Sequence, residues 1–300
     1  MPKKIVIAPV FCDSHLIRYQ IDNIVDTIDP DYIIYNEGMF PQGPEGTTVV
    51  DDRFIEEFTL DGHRGFDYAE LKQIVEDAQY KYPNTKIILN EMQYPETATA
   101  PECYYLACSN FKELGIDIAE GDLIFPFEGD VFHHEDAKSD IENYCKQLTP
   151  NTGFRSNWID FIENQYYAEK SQWIRYKKSA EDTKSRRVCI CYGTEQFYRD
   201  VLLNFMTQKY PMLYPTDLVT YHYAWWRPEK YRDLRYAQLN RAGEYWKDFD
   251  SALYKIHNAK GKDIGDVILR PHLSENLSHR YACYVDIEHP KHVKQHVNYI

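Results

Sequence analysis

The residues of this chain best suited to chemistry lie at 128–130, where the apolar run Leu123-Ile124-Phe125-Pro126-Phe127 ends in Glu128-Gly129-Asp130. Two carboxylates at the end of a buried strand need something positive to meet them. They stand two apart, so on an extended backbone they share a face, and Gly129 allows a tight turn and the close approach of a ligand. Two hard oxygen donors at a strand end suit Mg²⁺ or Mn²⁺, which complete their shells with water and substrate phosphates. Gly121-Asp122 precedes the strand, and His133, His134, Glu135 and Asp136 follow the acids directly. Imidazole favours Mn²⁺ over Mg²⁺. The competing reading of Glu-Gly-Asp is a solvated turn.

A second chemical stretch is YHYAWWRPEKYRDLRYAQLNR, 221–241. His222 ends an apolar segment, Trp225 and Trp226 offer stacking surface, and Arg227 can fork onto a phosphate. Lys230, Arg232 and Arg235 add charge at the start of a helix, although a solvated amphipathic face capped by Pro228 explains Arg232 and Arg235 equally well. His289, His292 and His296 share one face if the C-terminus is helical. The first and last are two turns apart, too far to reach one ion at about 2.0 Å, so a surface tail is the expectation. No G-x-S-x-G, Walker loop, early G-x-G-x-x-G or H-E-x-x-H occurs, so hydrolase, P-loop and dinucleotide-dehydrogenase readings have no motif behind them.

The elements that must position these residues follow from periodicity. Lys4 to Val10 reads as a buried strand, and Leu16, Ile17, Ile21, Ile24, Val25 and Ile28 then recur at helical spacing after Ser14. Asp31 to Tyr35 is a second strand ending in Asn36-Glu37-Gly38, followed by a loop rich in Gly and Pro. Phe66 to Tyr80 is an amphipathic helix, Lys86 to Leu89 a third strand, Pro101 to Leu114 a helix and Leu123 to Phe127 a fourth strand. Such alternation implies an open, mostly parallel sheet, whose ligands sit at the carboxyl ends of the strands. Those ends carry Phe11 to Asp13, Asn36 to Gly38, Asn90-Glu91 and Glu128 to Asp130. The second half is less regular: β segments at 158–167, 187–192 and 218–223, with a helix at 195–206. With no repeat or long linker, residues 1–300 read as one α/β domain with an elaborated C-terminal half.

Composition narrows the function. Lys and Arg number 34 against 47 Asp and Glu, a net charge of -13, which disfavours nucleic acid as a general partner. A local basic groove near 225–241 would still admit it. No run approaches the roughly 20 apolar residues of a membrane helix, and MPKKIVIAPVF turns polar too soon for a secretory signal, so a cytoplasmic location is expected. Seven cysteines without a C-x-x-C pair imply neither a disulfide framework nor a cysteine zinc site. The 26 tyrosines suit core filling and, at a site, walls that contact sugars or bases.

The order of these motifs resembles the glycosyltransferase-A fold, in which a nucleotide-sugar site lies along the strand ends and an acidic D-x-D-type motif binds a metal on the diphosphate. Here the motif would be 128–130, with Glu128 departing from its first position. It resembles in particular the branch related to the bisecting N-acetylglucosaminyltransferases, which has an early acid before a helix carrying an arginine (Asp13, Arg18), a strand ending in an acid and a small residue (Glu37, Gly38), and a late histidine followed by Trp-Arg and a lysine helix (His222, Trp226, Arg227, Lys230). The resemblance spans residues 4 to 241.

It implies a GT-A-like, Rossmann-like architecture: 1–130 as the nucleotide-sugar half, 131–300 as the acceptor half with C-terminal helices. The implied metal ligands are Asp130, Glu128 and His222, for Mn²⁺ or Mg²⁺. Phe11, Asp13, Arg18, Glu37, Gly38, Glu128, Gly129, Trp226 and Arg227 would bind a UDP-linked donor. The acceptor would be a hydroxyl on a glycan or a modified base. If the enzyme inverts, Glu195 is the first candidate for the base and Asp136 the second. The competing functions are a metal-dependent nucleotidyltransferase and a non-catalytic carbohydrate-binding or virion-associated protein.

Overall fold

β1 (Lys4–Val10) is apolar on both faces because both are covered. Val6, Ala8 and Val10 pack on one layer, which includes Ile17, Ile21 and Ile24 of α1 (Ser14–Ile28). Ile5 and Ile7 pack on the other, which includes Phe111 and Ile116. This period of two, with cover on either side, is what a central parallel strand requires. The computed structural model describes residues 2–41, 52–149, 151–177, 186–192, 213–223, 225–228, 231, 234, 249–270, 280–296 and 299.

The first half alternates as its periodicity implies. β2 (Tyr32–Glu37), α2 (Asp52–Phe58), α3 (Tyr68–Lys81), β3 (Lys86–Glu91), α4 (Ala100–Ala107) and β4 (Leu123–Pro126) follow α1. β1 pairs in parallel with β2 and β4, and β2 with β3. A capping box between Thr99 and Glu102 starts α4. The helix stops at Ala107 instead of reaching Leu114, and polar side chains fasten the chain beyond it. Ser109 Oγ donates to the Tyr105 carbonyl at 2.7 Å, and Asn110 Nδ2 donates to Asn36 Oδ1 at 2.8 Å.

The second half extends the sheet. It comprises β5 (Val131–Phe132), α5 (Ala137–Gln147), β6 (Thr152–Asp160), β7 (Tyr167–Glu169), α6 (Lys170–Lys177), β8 (Arg186–Tyr192), β9 (Leu213–His222), α7 (Phe249–Ala259), β10 (Val267–Arg270) and β11 (Arg280–Tyr284). The large sheet has the order β3-β2-β1-β4-β8-β6-β9-β5, and a small one the order β10-β11-β7. The segment expected as one strand from 158 to 167 is two, β6 and β7, joined by a turn in which Glu163 has φ +63°. Among the described residues from 285 onward the helical stretch is a 3-10 turn at Val293–Gln295, so the condition for a single helical face of His289, His292 and His296 is not met. The expected helix at 195–206 lies outside the described residues.

Strand directions fix where the site must be. β8 runs antiparallel to β4 and to β6, so β6 runs with β4, and β9 is parallel to β6. β1, β2, β3, β4, β6 and β9 therefore all end at one edge. That edge carries Asp13 after β1, Glu128 and Asp130 after β4, Asp160 at the end of β6 and His222 at the end of β9. The α/β class with a mostly parallel, helix-flanked sheet and an elaborated second half is thus observed. No helix among the described residues is long and apolar enough to cross a membrane.

Candidate metal centre

α1 builds the acidic loop through two polar residues on its buried face. Gln20 Nε2 donates to the carbonyls of Glu128 at 2.7 Å and Val131 at 2.8 Å, and Tyr35 OH donates to Gln20 Oε1 at 3.0 Å. Asn23 Nδ2 donates to the His133 carbonyl at 2.6 Å and Asn23 Oδ1 accepts from its N–H at 3.0 Å. β5 then pairs Val131 with His222, and the Tyr223 N–H donates to the Asp130 carbonyl at 2.9 Å. The acidic loop and the end of β9 are thereby clipped together. Gly129 is required by close approach: a Cβ there would lie 2.8 Å from Asp13 Oδ2. The room a ligand was expected to use is taken by Asp13.

One ligand atom from each of Glu128, Asp130 and His222 falls within 4.8 Å of the others. His222 Nε2 lies 3.2 Å from Asp130 Oδ1 and 3.6 Å from Glu128 Oε2. On the far side of the ring, Nδ1 is 2.5 Å from Asp160 Oδ1. A carboxylate behind an imidazole fixes its orientation and raises its basicity, the usual support for a metal-binding histidine. Asp160 is held in turn: Trp158 Nε1 donates to its Oδ1 at 2.6 Å, and Gln172 Nε2 of α6 donates to its Oδ2 at 2.8 Å. Burial disfavours a charged His222, but Asp130 and then Asp160 outweigh it and push its pKa up to about 10. A proton on this ring thus sits where a cation fits, and the donor set, two carboxylates and one imidazole, suits Mn²⁺ better than Mg²⁺.

Arg227 links this group to the end of β1. Its Nη2 lies 3.1 Å from Asp13 Oδ1 and 3.4 Å from Asp130 Oδ2, and all three side chains are buried. Cys12, with φ +56°, turns the chain in a conformation that costs a non-glycine residue energy, and so aims Asp13 back at Arg227. Burial pushes the Asp13 carboxyl up to about 6, with Arg227 opposing.

A second acid group lies beside the first. Glu37 is fully buried, and its Oε1 accepts the Gly65 N–H at 2.7 Å. Asp67 Oδ2 accepts the Ser14 N–H at 2.9 Å. Glu37 Oε2 and Asp67 Oδ1 are buried without a hydrogen-bond partner among the described residues. Burial pushes Glu37 up to about 8, against the Gly65 N–H, and raises Asp67 likewise.

Asp130, Glu128, His222, Asp13, Gly129 and Arg227 therefore come together, and half-buried Phe11 precedes them on the β1 end. Other expected site residues do not join them. Arg18 is exposed and pairs with Glu70. Glu37 and Gly38 are covered, and a Cβ at Gly38 would meet the Met92 carbonyl at 2.4 Å, so the glycine serves chain packing. Trp226, expected as a stacking surface, is fully buried against Tyr223, with ring centroids 4.4 Å apart, and is core. Asp136 heads α5 with a side chain 91% exposed, 3.5 Å from His134 Nδ1. Glu195, Lys230, Arg232 and Arg235 lie outside the described residues. His289 and His296, expected on a surface tail, are buried. The sequence did not single out Asp160, Gln20 or Asn23.

No protein-family profile matches this sequence. No curated protein matches it either. Among solved structures, the chain is similar to a protein assigned as a glucose-1-phosphate thymidylyltransferase from Bacillus anthracis, solved with sucrose, at 10% identity and a TM-score of 0.37, covering 82% of this chain and 97% of that one. It is also similar to a 4-diphosphocytidyl-2C-methyl-D-erythritol synthase from Anaerococcus prevotii, at 10% identity and a TM-score of 0.34, covering 80% and 96%. Likeness at this level carries no functional argument. Neither structure is a bisecting N-acetylglucosaminyltransferase, and that branch gains no support from them.

Proposed function

We propose that this protein is a divalent-cation-dependent glycosyltransferase that moves a sugar from a nucleotide-linked donor, UDP-linked in the first instance, to an acceptor hydroxyl. The observation that carries the reading is the convergence of Glu128, Asp130 and His222 at the carboxyl edge of a mostly parallel sheet, with Asp160 orienting the histidine. The motif order that resembles the glycosyltransferase-A pattern supports it. Mn²⁺, when bound, would neutralise the diphosphate and stabilise the departing nucleoside diphosphate.

The chain's own residues have separate tasks. Glu128, Asp130 and His222 hold the cation. Arg227, anchored by Asp13 and Asp130, brings a fixed positive charge to the same edge, where charge on the leaving phosphate would develop. Phe11 offers the half-buried ring nearest the β1 end for a base. The acceptor is a glycan or another hydroxyl compound, and the net charge of -13 disfavours nucleic acid. The base that takes the acceptor proton is sought at Glu195, since Asp136 is turned to solvent.

The test is thermal stabilisation by a panel of nucleotide sugars with and without Mn²⁺. One donor that stabilises only with Mn²⁺, and not in Asp130→Asn, supports the reading. Stabilisation by a nucleoside triphosphate with release of pyrophosphate would replace it with nucleotidyl transfer. Binding of glycans without any nucleotide would replace it with a non-catalytic lectin role.

A further inference from the structure

We propose that the segment 285–296 is a strap that braces the geometry of the cation site, with His289 as its positioning residue. The inference rests on the cation-site reading above. His289 is buried, and its two ring nitrogens are both engaged. Nε2 lies 2.9 Å from the Gln165 carbonyl, so it carries the hydrogen. Nδ1 is then the acceptor, and Tyr223 OH donates to it at 2.7 Å. Burial, opposed by the Gln165 carbonyl, pushes the pKa down to about 3, so this arrangement of hydrogens holds at neutral pH.

Tyr223 is the residue through which the strap reaches the site. It follows His222 in the chain, and its own N–H binds the Asp130 carbonyl at 2.9 Å. Holding the phenol therefore holds the end of β9 and the acidic loop at once. The His289 ring also packs edge-on against Phe161, centroids 4.5 Å apart, next to Asp160 in the chain, and lies 6.0 Å from Trp226, next to Arg227. Among the described residues, none of the strap belongs to the cluster of ligand atoms.

The rest of the strap fastens the same carriers. The Val285 N–H donates to the Tyr166 carbonyl at 2.8 Å. The Lys291 N–H donates to Glu135 Oε2 at 3.0 Å, just beyond the acidic loop. Lys291 Nζ and His292 Nε2 lie 2.7 and 2.9 Å from Asp26 Oδ2 on α1. The His296 ring lies 5.7 Å from His15 and 5.9 Å from Trp226. One segment thus touches α1, the loop after β5, the end of β9 and the turn after β6. These are the pieces that carry or adjoin Asp13, Asp130, His222 and Asp160. Gln20 and Asn23 already join α1 to the acidic loop, and β5 and β6 pair with the end of β9. The strap braces these joints from outside the sheet.

The experiment is a Mn²⁺ titration of the full-length chain near pH 7, followed by the electron paramagnetic resonance signal of free Mn²⁺, with melting in EDTA alongside. His289→Phe keeps a ring and loses both hydrogen bonds, and should weaken Mn²⁺ binding by about tenfold or more, the scale of an orienting partner. His289→Gln, which can still donate to Gln165 and accept from Tyr223, should restore most of the affinity, a rescue that loss of packing alone would not give. If His289→Phe does not melt cooperatively, Tyr223→Phe decides the question, with an expected loss of about threefold or more. Wild-type affinity in folded His289→Phe or Tyr223→Phe overturns the strap and leaves the cation site standing. Absence of Mn²⁺ binding by the wild type overturns the cation-site reading and the strap with it.

Discussion

Two groups of carboxylates occupy one sheet edge, and the chain treats them in opposite ways. Around His222, Asp130 and Asp160 keep the imidazole protonated with Glu128 beside it, and Asp13 and Asp130 meet Arg227. Around Gly65, Glu37 and Asp67 are buried with backbone N–H groups as partners, and burial pushes both towards their neutral forms. The same residue type is a proposed cation ligand in one place and is pushed towards its neutral form in the other. The difference lies in what faces the carboxylate: positive charge offsets much of the cost of burying an anion, as Arg227 does at Asp13, which burial still raises to about 6, whereas a lone N–H offsets less and leaves Glu37 at about 8. An acid at a strand end is therefore a ligand candidate only where a basic group from a distant strand meets it.

The sharpest way to break this comparison is to make the first group like the second. Arg227→Met removes the charge between Asp13 and Asp130, and loss of one partner of a buried pair costs on the order of 3–5 kcal/mol. Urea unfolding at neutral pH measures it; a loss under about 1 kcal/mol would mean that Arg227 does not hold the two acids.

Asp160→Asn sharpens the comparison within the cation group. It keeps the shape but removes the charge behind His222 Nδ1, so Mn²⁺ affinity should fall by about 10- to 100-fold. Isothermal titration checks it, and unchanged affinity would reduce Asp160 to a structural partner of Trp158 and Gln172. The pH dependence of the wild type follows from the same ring. With His222 held up to about 10, a cation must displace a proton at any pH below that. Apparent Mn²⁺ affinity should rise by about tenfold per pH unit between about pH 6 and 9. A flat profile would take His222 out of the ligand set.

Glu37→Gln probes the second group and should leave Mn²⁺ affinity unchanged. Its signature is in stability. The folded-state pKa of about 8 exceeds the unfolded value of about 4.3, so between these the folded chain holds a proton that the unfolded chain has lost. That contribution is complete below about pH 4 and is lost as pH rises through about 8, with a slope of at most about 1.4 kcal/mol per unit. Wild type should therefore lose more stability than Glu37→Gln between about pH 5 and 8, and parallel melting curves would remove Glu37 from the neutral class.

Much of this was legible in the sequence where the signal is local. Lys4–Val10 is a strand with the bounds its apolar run implies, and Glu128, Asp130, His222 and Arg227 stand out by type and position at element ends. Asp160 did not, because its role depends on a register: β6 lies parallel to β9, which puts it opposite His222, 62 residues away. Gln20 and Asn23 left a trace, two amides on the apolar face of α1, but their acceptors are loop carbonyls more than 100 residues on. The reverse error lies at the histidines. Positions 289, 292 and 296, spaced too widely to share one ion, read as a surface tail, yet His289 and His296 are buried and the three rings meet Tyr223, Asp26 and the rings around Trp226. Trp226 next to Arg227 suggested a ligand surface and is instead the core that carries the arginine.

The measurement that tests the central claim most directly is Mn²⁺ binding to wild type and Asp130→Asn by calorimetry, with melting temperatures in EDTA as a control for folding. One saturable site in the wild type, weakened by about 100-fold or more in a folded Asp130→Asn, is the predicted result. Equal binding by the two proteins, or none by the wild type, would contradict the assignment of Glu128, Asp130 and His222 as a cation site.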